Sequence, residues 1–235
     1  MSADAQGAAG SAWRASRRHL GDMLAWLWPG WGYRRIRRGW QVEWARDDFT
    51  PFWLSHRIPR EVQEGVASGW FPPGGSIVDI GCGSGEITAW LAEQGYNATG
   101  VDYAAAAIER ARARFPDRAG SLEFVVLDVC RSPLPAVRFH GAVDRGCLSG
   151  LPEAEWSGYR RSLATGLVPG AAFLLLYAMF DRRGRASLRA ATAEGALRAM
   201  FESQFRIERI ESSVIDVCAS AEPVPALAVW MHRTP

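Results

Sequence analysis

Short apolar segments alternate with amphipathic helical stretches along most of the chain. The apolar segments predict seven strands, at Ser76–Ile80, Ala98–Val101, Leu122–Leu127, Gly141–Val143, Ala171–Tyr177, Ile207–Val217 and Ala226–His232. Helical spacing of the apolar positions predicts helices at Glu86–Gln94, Ala104–Phe115, Glu153–Gly166 and Ala186–Phe205. This alternation is typical of a mostly parallel sheet with helices on both faces. Because the last two strands have no helix between them, we expect an antiparallel hairpin at the sheet edge.

Residues 1–56 differ in character from the rest, and we predict that they form an N-terminal arm or lid beside a domain at residues 57–235. The arm holds most of the 11 tryptophans. From Ser11 to Trp40 it carries seven arginines and one aspartate, a local formal charge of +6. Helical spacing from Trp13 to Leu27 predicts an amphipathic helix. We favour a lid that packs on the main domain; the alternative is a weak contact with an anionic membrane surface.

The net charge, the cysteines and the apolar runs limit the kinds of partner, metal site and location that we expect. The whole chain has a formal net charge of only +2, which gives no electrostatic argument for a nucleic-acid partner. Its 4 cysteines lie far apart, without histidines at ligand spacing, so we expect no metal site and free thiols. Neither a secretory signal pattern nor a membrane-spanning run is visible, and we therefore expect a cytoplasmic protein. The sequence does not indicate an oligomeric state.

A glycine-rich loop is the strongest chemical signal. Residues 77–86 read IVDIGCGSGE, a buried strand that runs through three glycines into a helix. Glycine lets the backbone turn sharply and lets a ligand approach closely. The spacing differs from the G-x-G-x-x-G of dinucleotide-binding folds, because Glu86 takes the place of the last glycine. A carboxylate there would repel a pyrophosphate, whereas the sulfonium and ammonium groups of S-adenosylmethionine tolerate it.

Acidic residues follow three of the predicted strands. Asp79 lies near the end of the first strand, Asp102 follows the second, and Asp128 follows the third. Asp102 is suitably placed to accept hydrogen bonds from both hydroxyls of a ribose, and Asp128 could hold an adenine amino group. The ordinary alternative is that each aspartate only caps a strand end or a helix start.

In this order and spacing, IVDIGCGSG, GVDY and VVLDV resemble the successive cofactor-binding motifs of class I S-adenosylmethionine-dependent methyltransferases. The resemblance implies a Rossmann-like sheet of seven strands, mostly parallel with an antiparallel last strand, and a helical, tryptophan-rich lid. It also implies a set of cofactor-binding residues: Trp40, Trp44, Asp79, Gly81, Cys82, Gly83, Gly85, Asp102, Tyr103, Asp128, Val129 and Asp144.

The fourth predicted strand resembles a narrower group. Residues 141–148, GAVDRGCL, are similar to a segment of the thiopurine S-methyltransferase-like and tellurite-resistance methyltransferases. The N-terminal segment of that group is also similar to three stretches of this chain: the tryptophans at 40 and 44, the TPFW at 50–53, and residues 58–74, which precede the first predicted strand. Residues 148–152, LSGLP, depart from the thiopurine enzymes, so their substrate does not carry over.

Methyl transfer is an in-line displacement. Positioning of the nucleophile can lower its activation free energy by up to ~7–11 kcal/mol. No general base stands out among the candidates His56, His140, Asp47, Asp48 and Asp144. A thiol needs little help because its pKa is ~8.5. We therefore expect a small-molecule acceptor, with a thiol or other soft nucleophile favoured. Arg145 and Asp144 are the predicted catalytic residues, and Trp53 and Arg145 the predicted acceptor contacts; a structural salt bridge is the alternative role for Arg145.

Three alternatives stay open. The first is an O- or N-methyltransferase of a specialised metabolite. The second is an RNA or protein methyltransferase, although DRGC at 144–147 differs from the [DN]-P-P-[YF] of enzymes that methylate planar amines. The third is a non-catalytic cofactor-binding protein, against which the intact glycine loop and Asp102 argue.

Overall fold

The seven strands form one sheet in the order β3-β2-β1-β4-β5-β7-β6. The computed structural model describes residues 31–46, 48–49, 57–116, 120–136, 138–179, 190–216 and 223–235. The strands are β1 Ser76–Ile80, β2 Asn97–Asp102, β3 Leu122–Val126, β4 Phe139–Arg145, β5 Leu167–Ala178, β6 Phe205–Ile215 and β7 Val224–Arg233. All neighbouring strands are parallel except β7, which is antiparallel to β5 and to β6. The predicted fold class is therefore confirmed.

Six described helices accompany the sheet: α1 Trp31–Trp44, α2 Arg60–Ala67, α3 Glu86–Glu93, α4 Ala105–Arg114, α5 Trp156–Gly166 and α6 Ala190–Phe201. Short 3₁₀ turns at Leu148–Gly150 and Glu153–Glu155 precede α5. The prediction of one helix from Ala186 to Phe205 is wrong at its end, because Phe205 already belongs to β6. Its buried ring packs at centroid distances of 5.9 Å from Phe173 and 5.5 Å from Phe201, and this packing outweighs the helical pattern.

Both faces of the sheet are buried. Along β5, Phe173 and Leu175 belong to one apolar cluster, whereas Leu174 and Leu176 belong to the cluster on the opposite face. Side chains alternate across a strand, so a run of consecutive apolar residues can fill two layers at once. Each fully buried leucine or phenylalanine side chain contributes about 1.5–3 kcal/mol. This explains why the central strands read as continuous apolar segments.

The parallel strands bring the chemically interesting residues to one edge. Ile80 at the end of β1 lies beside Val101 of β2 and Asp144 of β4. The glycine loop, Asp102 and Arg145 therefore follow one another along the carboxyl edge of the sheet, where open α/β sheets bind ligands.

The described part of the predicted arm is mainly α1, which packs on α4. The predicted helix from Trp13 to Leu27 lies outside the described residues, so the arm–domain boundary and the membrane contact stay predictions. Among the described residues, no helix is both long and apolar enough to cross a membrane.

Candidate active site

The glycine loop between β1 and α3 has a backbone that side chains would block. Gly81, Gly83 and Gly85 have φ angles of 70°, 54° and 86°. A Cβ at Gly81 would lie 2.6 Å from Cβ of Cys147, and one at Gly85 would lie 2.6 Å from the ring of Phe124. Both the left-handed conformation and the close neighbours therefore require glycine.

Asp102 ties this loop to the next helix. Its Oδ2 accepts a hydrogen bond from the backbone N–H of Gly83 at 3.1 Å, and its Oδ1 accepts one from the N–H of Ala104 at 2.8 Å. Burial raises the pKa of the Asp102 carboxyl to about 6. Asp102 thus fixes the loop beside the start of α4, where the sequence predicts a ribose.

A cavity lies against the loop. Its volume is about 70 Å³, and its lining consists of Trp44, Arg57, Asp79, Gly81, Cys82, Gly83, Ser84, Glu86, Ile87 and Arg145. Asp79 accepts a hydrogen bond from the Thr88 hydroxyl at 2.7 Å, and burial raises the pKa of its carboxyl to about 7. Glu86 accepts a hydrogen bond from the Ser84 hydroxyl and pairs with Arg114. The lining thus holds two carboxylates and two arginines, a balance that suits a ligand with both an ammonium and a carboxylate group better than a pyrophosphate.

Helix α1 holds the third acidic strand end, Asp128. The hydroxyl of Tyr33 donates a hydrogen bond to its Oδ1 at 2.6 Å, and the backbone N–H of Cys130 donates to the same oxygen at 3.0 Å. Nη1 of Arg37 lies 3.2 Å from Oδ2 of Asp128. The start of α1 is therefore anchored to the predicted adenine site.

The end of α1 covers the glycine loop. Trp44 is only 6% exposed and forms a small apolar cluster with Ala104, Ala107 and the partly buried Trp40. An atom of its ring lies 3.3 Å from the place that a Cβ on Gly83 would occupy. Tryptophan in this position walls the cavity with an aromatic face, which attracts a sulfonium cation.

Two buried polar atoms at this end of the sheet, Nε of Arg37 and the hydroxyl oxygen of Tyr103, have no hydrogen-bond partner, and a third, Oδ2 of Asp128, has only its ion pair with Arg37. Arg37 stacks over the Tyr103 ring at 5.6 Å, and it also pairs with Asp128, so the three atoms belong to one cluster. Buried polar groups are normally satisfied, and adenosine offers both donors and acceptors. The cluster therefore fits the adenosine part of the predicted cofactor. The side chain of Val129, in contrast, is buried in the main apolar core.

A second cavity adjoins the first. Its volume is about 450 Å³, and it is lined by Arg57, Pro59, Arg60, Glu61, Arg145, Ser212, Ser213, Val214 and Asp216. Arg57 and Arg145 line both cavities. Nη2 of Arg145 donates a hydrogen bond to the backbone carbonyl of Asp216 at 2.6 Å. This placement is compatible with the acceptor-side position that the sequence predicts for Arg145.

The carboxylate of Asp144 lies inside the turn after β4. It has no exposed surface, and its Oδ1 accepts the N–H of Cys147 at 2.8 Å. Its Oδ2 accepts the N–H of Leu148 at 3.0 Å and the hydroxyl of Tyr159 at 2.5 Å. A carboxylate that is fully buried and satisfied in this way stabilises the turn after β4; the catalytic and cofactor-binding roles predicted for it stay predictions.

The other base candidates lie elsewhere or outside the described residues. Nδ1 of His140 accepts the N–H of Ser76 at 3.2 Å, at the starts of β4 and β1 and thus at the opposite edge of the sheet. Asp48 is exposed and bonded to Arg46. The remaining candidates, Asp47 and His56, and the predicted acceptor contact Trp53 fall on residues that the structure does not describe.

Sequence reasoning missed Tyr33, Arg37 and Arg57. A signal for the first two is present, because Tyr33, Arg37, Trp40 and Trp44 follow one another at intervals of 4, 3 and 4 and so lie on one face of a helix. Arg57 lies in an irregular segment before α2, where no periodicity could have marked it.

Comparisons with known proteins agree with this geometry. Residues 77–170 match a family model described as a methyltransferase domain. A 2-heptyl-1-hydroxyquinolin-4(1H)-one methyltransferase from Mycobacteroides abscessus is 30% identical over 109 residues. That alignment covers 46% of this chain and 47% of the relative, so the chain matches about half of the relative's length.

Solved structures share the fold. A structure from work on the conversion of a disulfide bond into a thioacetal group during echinomycin biosynthesis has a TM-score of 0.66 and 24% identity, covering 78% of this chain and 85% of the other. The 1,6-didemethyltoxoflavin-N1-methyltransferase of Burkholderia thailandensis has a TM-score of 0.65 and 20% identity, covering 86% and 89%. Residues 77–170 are thus similar in sequence to a methyltransferase domain, and the described fold is the one that these solved structures share.

Proposed function

We propose that this chain transfers a methyl group from S-adenosylmethionine to a small-molecule acceptor. The observation that carries the proposal is the pair of adjoining cavities at the carboxyl edge of the sheet. One is lined by the glycine loop, Asp79 and Trp44, and the other opens beside it past Arg57 and Arg145. A donor cavity that meets an acceptor cavity is the arrangement that an in-line displacement needs.

Residues that line the donor cavity and residues beside it have separate roles in this proposal. The bound cofactor supplies an electrophilic methyl group on a sulfonium. Asp79 would hold its ammonium end, Asp102 would accept hydrogen bonds from the ribose, and the cluster of Arg37, Tyr103 and Asp128 would receive the adenine. Trp44 would shield the sulfonium from water. Catalysis then comes mainly from holding the acceptor close to the methyl carbon. Such positioning can lower the activation free energy by up to ~7–11 kcal/mol.

The type of atom that receives the methyl group is also a proposal. A thiol or another soft nucleophile suits a site without a strong base. The names of the hydroxyquinolone and toxoflavin relatives support the alternative of an O- or N-methyltransferase for a heteroaromatic metabolite. The resemblance to the thiopurine and tellurite group stays a prediction, since the comparisons do not single that group out.

Titration calorimetry with S-adenosylmethionine and S-adenosylhomocysteine tests the proposal. We expect micromolar binding to the wild type and a loss of at least tenfold in Asp102→Ala, because that variant frees the N–H groups of Gly83 and Ala104. Asp48→Ala is the matched control, since Asp48 is exposed and its carboxylate pairs with Arg46. A folded wild type that binds neither compound would refute the proposal.

A further inference from the structure

We propose that Arg110 is a positioning residue of the donor site, which holds the Trp44 ring over the glycine loop and thereby slows the release of the cofactor. This inference rests on the proposed function and adds a residue that acts on the cofactor through another side chain. Arg110 lies on α4, and its side chain reaches the chain just beyond the end of α1.

The first observation is the contact between Arg110 and the turn that follows α1. Its Nη1 donates a hydrogen bond to the backbone carbonyl of Phe49 at 3.0 Å, and its Nη2 donates one to the carbonyl of Arg46. The same carbonyl of Arg46 accepts the N–H of Phe49 at 3.0 Å, so the two residues form one turn. A guanidinium carries several donors in a fixed plane, which allows one arginine to hold both carbonyl oxygens.

The second observation is that Arg110 also contacts Trp44 itself. Its guanidinium carbon lies 5.7 Å from the centroid of the Trp44 ring, within the range of a cation–π interaction. The Phe49 ring packs edge-on against Trp44 at a centroid distance of 5.3 Å. Arg110 therefore positions Trp44 both directly and through the residue whose carbonyl it binds.

Trp44 connects these contacts to the cofactor site. It lines the donor cavity, and an atom of its ring lies 3.3 Å from the place of a Cβ on Gly83. It also packs with Ala104 and Ala107, at the start of α4. Because Ala104, Ala107 and Arg110 follow at intervals of three, they lie along one side of α4 and together form the surface on which Trp44 rests. A movement of the end of α1 away from this surface would open the donor cavity beside Gly83.

The start of α1 has anchors of its own. The Tyr33 hydroxyl donates a hydrogen bond to the Asp128 carboxylate, and Arg37 pairs with the same carboxylate. Tyr33 precedes Trp44 by about three helical turns. Loss of the Arg110 contacts should therefore loosen the end of α1 and leave its start in place. The expected effect is faster release of the cofactor and not loss of the fold.

Surface plasmon resonance with immobilised protein and S-adenosylhomocysteine tests the inference. We expect Arg110→Gln to speed dissociation of S-adenosylhomocysteine about tenfold, because two hydrogen bonds from a charged donor are lost. Arg110→Lys keeps the charge but not the planar set of donors, and it should speed dissociation about threefold. This milder variant keeps the test valid if Arg110→Gln does not fold.

Arg160→Gln is the matched control. Arg160 on α5 likewise donates a hydrogen bond to a backbone carbonyl in the last turn of a neighbouring helix, that of Met200 in α6, at 3.2 Å. In urea unfolding, Arg110→Gln and Arg160→Gln should lose similar stability. Only Arg110→Gln should change the dissociation rate.

A double variant shows whether Arg110 acts through Trp44. Trp44→Leu should itself speed dissociation of S-adenosylhomocysteine. Addition of Arg110→Gln to Trp44→Leu should then change the rate by less than about twofold, because the ring that Arg110 positions is already absent. A further tenfold increase in the double variant would overturn the inference.

The remaining outcomes separate the two proposals. Failure of S-adenosylhomocysteine to bind the wild type would refute the proposed function, and this inference with it. Normal binding to the wild type, combined with an unchanged dissociation rate in the Arg110 variants or with equal acceleration in Arg160→Gln, would overturn the role of Arg110 alone.

Discussion

Replacement of Gly85 by alanine separates two reasons for glycine in the cofactor loop. Gly85 and Gly95 have nearly the same left-handed φ, 86° and 88°. An alanine Cβ at Gly95 would have no atom within 4 Å. At Gly85 it would lie 2.6 Å from the Phe124 ring and 3.0 Å from Cβ of Ala111. Any difference between the two variants therefore measures packing and not backbone strain.

The magnitudes follow from these contacts. The left-handed conformation costs a non-glycine residue roughly 1–2 kcal/mol at either position. Overpacking of a buried site adds about 1–3 kcal/mol, and it applies only to Gly85→Ala, because Phe124 is just 4% exposed. We expect Gly95→Ala to lose about 1–2 kcal/mol of unfolding free energy and Gly85→Ala to lose about 2–5 kcal/mol.

Urea unfolding followed by circular dichroism measures both losses. The double variant Gly85→Ala/Phe124→Leu should regain part of the stability, because leucine vacates the space that the new Cβ needs. Equal losses for Gly85→Ala and Gly95→Ala, or no recovery in the double variant, would refute the packing argument.

Three further predictions follow from the site. Tyr33→Phe removes the 2.6 Å hydrogen bond to the Asp128 carboxylate and should weaken S-adenosylhomocysteine binding about tenfold in calorimetry; unchanged affinity would show that α1 does not hold the cofactor site. The pKa of Asp79, raised by burial to about 7, means that the folded protein binds this proton more readily than the unfolded chain, whose aspartate pKa is ~3.9. Stability of the free protein should therefore fall as the pH rises from about 4 to about 7, while affinity for the cationic cofactor should rise, and Asp79→Asn should flatten both profiles in thermal unfolding and calorimetry. Tyr159→Phe removes a hydrogen bond to the buried Asp144 carboxylate and should cost about 1.5–3 kcal/mol in urea unfolding, with cofactor affinity preserved; a smaller loss would contradict a structural role for that carboxylate.

The sheet could be predicted from the sequence because its signals are local. β1 was predicted at its observed limits, and the glycine loop follows it directly in the chain. The end of α6 could not be predicted, since the helical pattern continues to Phe205 while the partners that draw Phe205 into β6 lie far away in sequence.

The donor cavity was also easier to predict than the acceptor cavity. Its loop and its aspartates follow successive strands, so chain order places them at one edge. The acceptor cavity joins Arg57, Glu61 and Arg145 to Ser213 and Asp216, which are far apart in sequence. Asp144 shows the limit of such reasoning: sequence places an aspartate at a strand end but does not tell whether it faces a ligand or a turn.

Because of the position of β7, one of the two cavities depends on the C-terminal part of the chain more than the other does. Within the described residues, β6 pairs only with β7, which separates it from β5. The wall of the acceptor cavity at Ser212–Asp216 is therefore joined to the sheet only once β7 has been synthesised and inserted. The glycine loop and Asp102 depend on β1, β2 and β4, all of which precede it. During synthesis, the half of the site that fits the cofactor can form early, whereas the half that fits the acceptor is completed last.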